Sequence, residues 1–130
     1  MIRKTLLAAA LALATCSASA ANITLQDKIA LQATMAAYIE SHSVGGIVPH
    51  VRLDTGETVN LSPAKAHPMI LQMGDQYVLC TDFRDPHGNF VNIDFYVARR
   101  GGEFVVFQTE VDNRGPLKAL VQDGKVQMLD

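Results

Sequence analysis

Cysteine is scarce in this sequence: only Cys16 and Cys80 occur in its 130 residues. Cys16 falls in an N-terminal segment that reads as a leader, so the mature chain keeps Cys80 alone and can form no internal disulfide. Stability must then come from a core, and a chain of about 110 residues buries around two-thirds of its unfolded surface. An oxidising compartment penalises an exposed lone thiol, so Cys80 is expected inside. No stretch of Lys and Arg is interleaved with aromatics. The only basic doublet, Arg99-Arg100, runs into Gly101-Gly102 and reads as a turn, which argues against nucleic acid as a partner. No apolar run approaches the roughly 20 residues that span a bilayer, so no transmembrane span is expected. Repeats, low-complexity tracts and long linkers are also lacking, which leaves one domain.

What is present at the N-terminus is Arg3 and Lys4, an apolar run from Leu6 to Ala14, and Ala18-Ser19-Ala20 as a small-residue cleavage site. This is the layout of a secretory signal peptide over residues 1–20, cut after Ala20, with residues 21–130 forming a single α+β domain in the periplasm or outside the cell. Leu13-Ala14-Thr15-Cys16 also resembles a lipobox, which would lipidate Cys16. Thr15 departs from the small residue wanted there, so lipid anchoring is the minor alternative. Losing Arg3 and Lys4 but no acid shifts the net charge from −2 to −4.

From Thr24 to about Ser43 the periodicity is helical. Leu25, Ile29, Ala36 and Ile39 form the expected apolar stripe, flanked by Ala33 and Met35, with Thr24 and Asp27 as a near capping box and Gly45-Gly46 as the stop. Period-two runs follow: His50 to Asp54 and Glu57 to Leu61 as a hairpin, then strands His67 to Met73, Gln76 to Arg84, Phe90 to Arg99 and Glu103 to Val111. A short helix opens at Pro116 and a last strand spans Lys125 to Leu129. Pairing Phe83 with Val91, Thr81 with Ile93 and Leu79 with Phe95 makes one face apolar. A three-residue turn at Arg100 to Gly102 extends that face by pairing Val97 with Val105 and Phe95 with Phe107. The fold expected is α+β: an N-terminal helix packed on a curved antiparallel meander, with a short C-terminal helix.

That register lines up the opposite face in rows: His67, Asp82, Asn92, Glu110; then Met69, Cys80, Asp94, Gln108; then Leu71, Val78, Tyr96, Val106. His67 beside Asp82 is the candidate acid–base pair, with Asp94 or Glu110 as a second titrating group. Asn92, Tyr96, Gln108 and Cys80 are the candidate ligand-binding groups around it. Four oxygen and nitrogen donors on adjacent strands raise the question of a metal. No H-x-x-x-H or H-E-x-x-H spacing is present, and Asp82 to Asp94 lacks the EF-hand order, so no metal and no cofactor are implied. A thiolate at Cys80 is disfavoured by Asp94 as its expected neighbour. His42, His50 and His87 read as surface residues.

AHPMILQMGDQYVLCTDFRD, followed by GNFVNIDFY, resembles a pattern of small exported proteobacterial proteins without an assigned activity, and the resemblance carries over no catalytic residue. The architecture is similar to cystatin-like and NTF2-like helix-on-sheet folds, although the latter usually open with more helix. Export, a sound core and no compact catalytic motif together suggest a binding or accessory module acting on a protein or small-molecule ligand through the open face or an edge of the sheet. The alternatives are a hydrolase- or isomerase-type enzyme using His67 and Asp82, and an inhibitor or assembly factor.

Overall fold

The computed structural model describes residues 23–129, so the expected leader, with its expected cleavage after Ala20, and Cys16 lie outside the described residues. Helix α1, Leu25–Ser41, starts at an N-cap in which Thr24 accepts from the Asp27 amide while the Asp27 carboxylate accepts from the Thr24 backbone. Asp27 also accepts from Arg99 Nη2 at 3.0 Å, which ties the helix start to the far end of the sheet. The helix caps at His42, and Gly45 and Gly46, both at positive φ, turn the chain.

Seven strands then form one antiparallel sheet that does not close into a barrel: β1 (Val48–Val51), β2 (Thr58–Ala66), β3 (Ile70–Met73), β4 (Gln76–Arg84), β5 (Phe90–Arg100), β6 (Glu103–Val111) and β7 (Gln127–Leu129). Helix α2, Gly115–Gln122, precedes β7. Strand β4 is the centre: β5 lies along one edge, while β3 and the second half of β2 share the other. His67 to Met69, with Pro68, interrupts what the sequence suggested as one strand from His67, and β2 instead runs through Pro63 to Ala66 with a bulge between Pro63 and Lys65. Strand β7 pairs with β3, so it leaves the outer edge of β6 without a neighbouring strand among the described residues.

The β4–β5 register is as expected, with Phe83 opposite Val91, Thr81 opposite Ile93 and Leu79 opposite Phe95. The β5–β6 register is not. Arg100 pairs with Glu103 across a two-residue turn in which Gly101 and Gly102 both have positive φ, the conformation that a tight hairpin favours and two glycines supply. Shortening the turn by one residue swaps the faces at the start of β6: Phe104 and Val106 pack into the core, while Val105 and Phe107 are exposed. A bulge opposite Tyr96 and Val97 then absorbs one more residue and restores the phase, placing Thr109 against Phe95 and Val111 against Ile93.

Helix α1 covers the apolar face through a stripe rotated from the one expected, keeping Ile39 from it and Met35 from its flank. Leu31 and Met35 are buried against Leu79, Phe83 and Phe95, with Tyr38 and Ile39 beside them, whereas Leu25 and Ile29 are exposed and Ala36 lies on the surface. Apolar residues occur on both sides of this alanine-rich helix, so periodicity alone does not choose between the stripes. Gln32 lies at the margin, where its Nε2 donates to the carbonyl of His67 at 3.2 Å. The second face is partly roofed by α2. Leu117 and Val126 pack on Leu71, Val78 and Tyr96 in a small second core. Among the described residues, no helix is long and apolar enough to cross a membrane.

Candidate functional site

His67 and Asp82, the candidate pair read from the sequence, are in contact. His67 sits at the break between β2 and β3, where its amide donates to the Cys80 carbonyl at 3.0 Å, and this anchors the ring beside β4. Nε2 of His67 lies 2.7 Å from Asp82 Oδ2, and Asn92 Nδ2 donates to the other carboxylate oxygen at 3.2 Å. Burial pushes the Asp82 carboxyl up, but the hydrogen bonds from His67 and Asn92 outweigh it and hold Asp82 below the ordinary 3.8. A carboxyl whose pKa falls on folding stabilises the fold above its unfolded value, and that contribution is lost as the pH drops through the lower folded value. His67→Ala is therefore expected to cost about 1 kcal/mol near neutral pH and to shift acid unfolding to higher pH, read by circular dichroism below about pH 4.

The other predicted site residues divide in two. Asp94 is fully buried, and Arg114, from the loop before α2, closes on it with two hydrogen bonds of 2.9 and 3.2 Å. This pair joins α2 to β5, so the Asp94 carboxylate is engaged by the fold rather than presented to solvent. Tyr96 is buried beneath α2. Cys80 is also buried; desolvation pushes its thiol up, against the pull of the Arg114 charge, which keeps it protonated and unreactive. Because of the β6 phase shift, Glu110 stands opposite Asp94 rather than in the row of Asn92, and Gln108 stands opposite Tyr96. Gln108 and Asn113 both donate to Glu110, so this carboxylate is occupied away from His67.

His67, Asp82, Asp94 and Glu110 do not converge, and among the described residues no three His, Cys, Asp or Glu side chains group as a metal-binding set. The loop of Asp85 to Asn89 is turn chemistry: Asp85 Oδ1 accepts from the amides of His87 and Asn89.

The clefts lie elsewhere. The largest described, about 640 Å³, is a groove between α1 and the second half of β2, walled by Met35, Ala36, Ile39, Pro63, Ala64 and Ala66 with Gln32, Glu40 and Lys65 at its margins. Over Ser62–Ala66, β2 pairs with β4 only, which leaves the other edge of that segment without a strand neighbour among the described residues. None of the four described clefts includes His67, Asp82 or Asp94. No known protein family, curated protein or solved structure matches this chain. The fold and its clefts therefore carry the functional argument.

Two features leave no mark in the sequence pattern. Arg114 gave no signal, because it lies in an irregular loop and its partner is twenty residues away. The groove is hidden in the sequence because a strand pattern stops at Leu61, whereas β2 continues through Pro63 to Ala66.

Proposed function

We propose that this chain is exported behind a leader cut after Ala20 and works, in the periplasm or outside the cell, as a small binding or accessory module. The observation that supports this reading is the groove between α1 and β2, where apolar walls stand beside an unpaired strand edge. Its occupant is an extended segment of a partner protein. Such a segment satisfies main-chain groups by adding to a sheet edge and gains specificity from side chains laid into an adjoining cleft. Small residues line this cleft, leaving room for the partner's larger ones.

Catalysis by His67 is the second reading, favoured by the 2.7 Å contact with Asp82. It is weaker because Asn92 shares the carboxylate and the second titrating group, Asp94 or Glu110, is engaged elsewhere. The exposed Val105 and Phe107 on the β6 edge are what an inhibitor or assembly factor would use.

Selection of displayed random peptides against the protein, expressed as the full chain and purified from periplasm, tests the proposal. Binders are expected to lose affinity by more than about tenfold when Ala36, an exposed groove residue, is changed to arginine, and to keep it in Asp82→Asn. Binders indifferent to Ala36→Arg would contradict the groove. A turnover abolished by His67→Ala would replace the module with an enzyme.

A further inference from the structure

We propose a second binding site: a small-ligand cleft at the C-terminal end of α1, with the chemistry to take a small aromatic acid. It shares only Ile39 with the groove along β2 and does not depend on that groove having a partner.

The cleft arises because the chain turns sharply at Gly45-Gly46 and lays β1 near the ends of β5 and β6. Between β1, α1 and the sheet remains a concavity of about 280 Å³ whose floor reaches the core at Phe83, Ile93 and Phe95. That volume lies just below the roughly 300–1,000 Å³ of drug-sized ligand sites and suits a single ring. An apolar floor with a few polar groups at the rim is the composition such sites share. Here the rim groups are His42, His50, Tyr38 and Thr109, and no Asp or Glu lines the cleft.

The rim is preorganised. The His42 ring stacks on Tyr38 with centroids 3.9 Å apart, and its Nδ1 lies 2.8 Å from the Tyr38 carbonyl oxygen. Ser41 Oγ lies 3.0 Å from the same nitrogen and 2.8 Å from the same carbonyl, so Nδ1 is engaged within the helix end. Nε2 is then left for the head group of an incoming acid. His50 lines both this cleft and an adjoining concavity of about 400 Å³ that holds Arg52, Asp54 and Asp112. The two histidines thus stand where an acid head would emerge while its ring occupies the apolar floor.

The test is an amide NMR titration of the protein with benzoate, using benzamide and acetate as controls. Benzoate is expected to give saturable shifts at His50, Ile93 and Thr109, with benzamide and acetate each at least about tenfold weaker. His42→Phe keeps the stacking on Tyr38 but removes the ring nitrogens, and is expected to weaken benzoate by about tenfold and leave benzamide unchanged. Pro49→Trp, at an exposed position that lines the cleft, is expected to abolish binding; Thr109→Trp serves the same purpose if that variant fails to fold. Shifts away from the cleft, no saturation at millimolar benzoate, equal binding of benzamide, or equal binding of acetate would each overturn the proposal. Loss of this site would leave the peptide selection on the β2 groove unaffected, so the two outcomes can be told apart.

Discussion

Arg114→Ala is expected to destabilise the protein by about 3–5 kcal/mol, because it strands the Asp94 carboxylate, which is fully buried, without a counter-charge. For a domain of this size the thermal midpoint falls by more than about 10 °C. The reciprocal change, Asp94→Ala, is expected to cost less. The Arg114 side chain is 37% exposed and can turn to water once its partner is gone, whereas Asp94 has nowhere to go. Thermal unfolding of both variants checks the asymmetry. Equal and small losses would mean that the pair does not join α2 to the sheet. A large loss in Asp94→Ala alone would point to packing rather than charge.

The second large effect separates two readings of α1. Leu31→Ala is expected to cost about 2–5 kcal/mol, since the side chain is completely enclosed by the sheet and α1 itself. Leu25→Ala removes the same atoms from a residue that is 74% exposed and is expected to change stability by no more than about 0.5 kcal/mol. Urea unfolding of the two variants is sufficient. A reversed order would restore the stripe of Leu25 and Ile29 that periodicity suggested and would rotate the helix on its sheet.

These two cases also show what local pattern carries and what it does not. The β4–β5 pairing was legible because alternation runs through both strands and a one-residue slip would bury Asp82 and Asn92, so burial selects a single register. The start of β6 was not, because Phe104 to Phe107 is apolar at every position and either face could turn inward. There the decision lay with Gly101 and Gly102, whose positive φ values close a tighter turn than the one expected. The capping box was visible in Thr24 and Asp27, yet the buried stripe of α1 was not, since alanine contributes little to either side.

At the candidate site the same division holds. The sequence could place His67 near Asp82, but not for the reason expected: Lys65 is the strand partner of Asp82, and His67, in the break after β2 with its amide on the Cys80 carbonyl, reaches the carboxylate through its side chain alone. Two conclusions needed the chain in three dimensions: that Asp94 is consumed by an arginine from a distant loop, and that α2 buries Tyr96. The open face thus becomes partly an interior, and the usable concavities move to the margins of α1. His42 and His50, read as surface residues, line one of those concavities.

The most direct test of the central claim, that this protein binds at the α1 margin and not through the His67–Asp82 face, is an amide NMR shift map of the isotopically labelled protein titrated with a selected peptide. The account predicts the largest shifts at Ser62–Ala66 of β2 and at Gln32, Ala36 and Glu40 of α1. Shifts confined to His67, Asp82 and Asn92 would contradict it and return the site to the opposite face of the sheet.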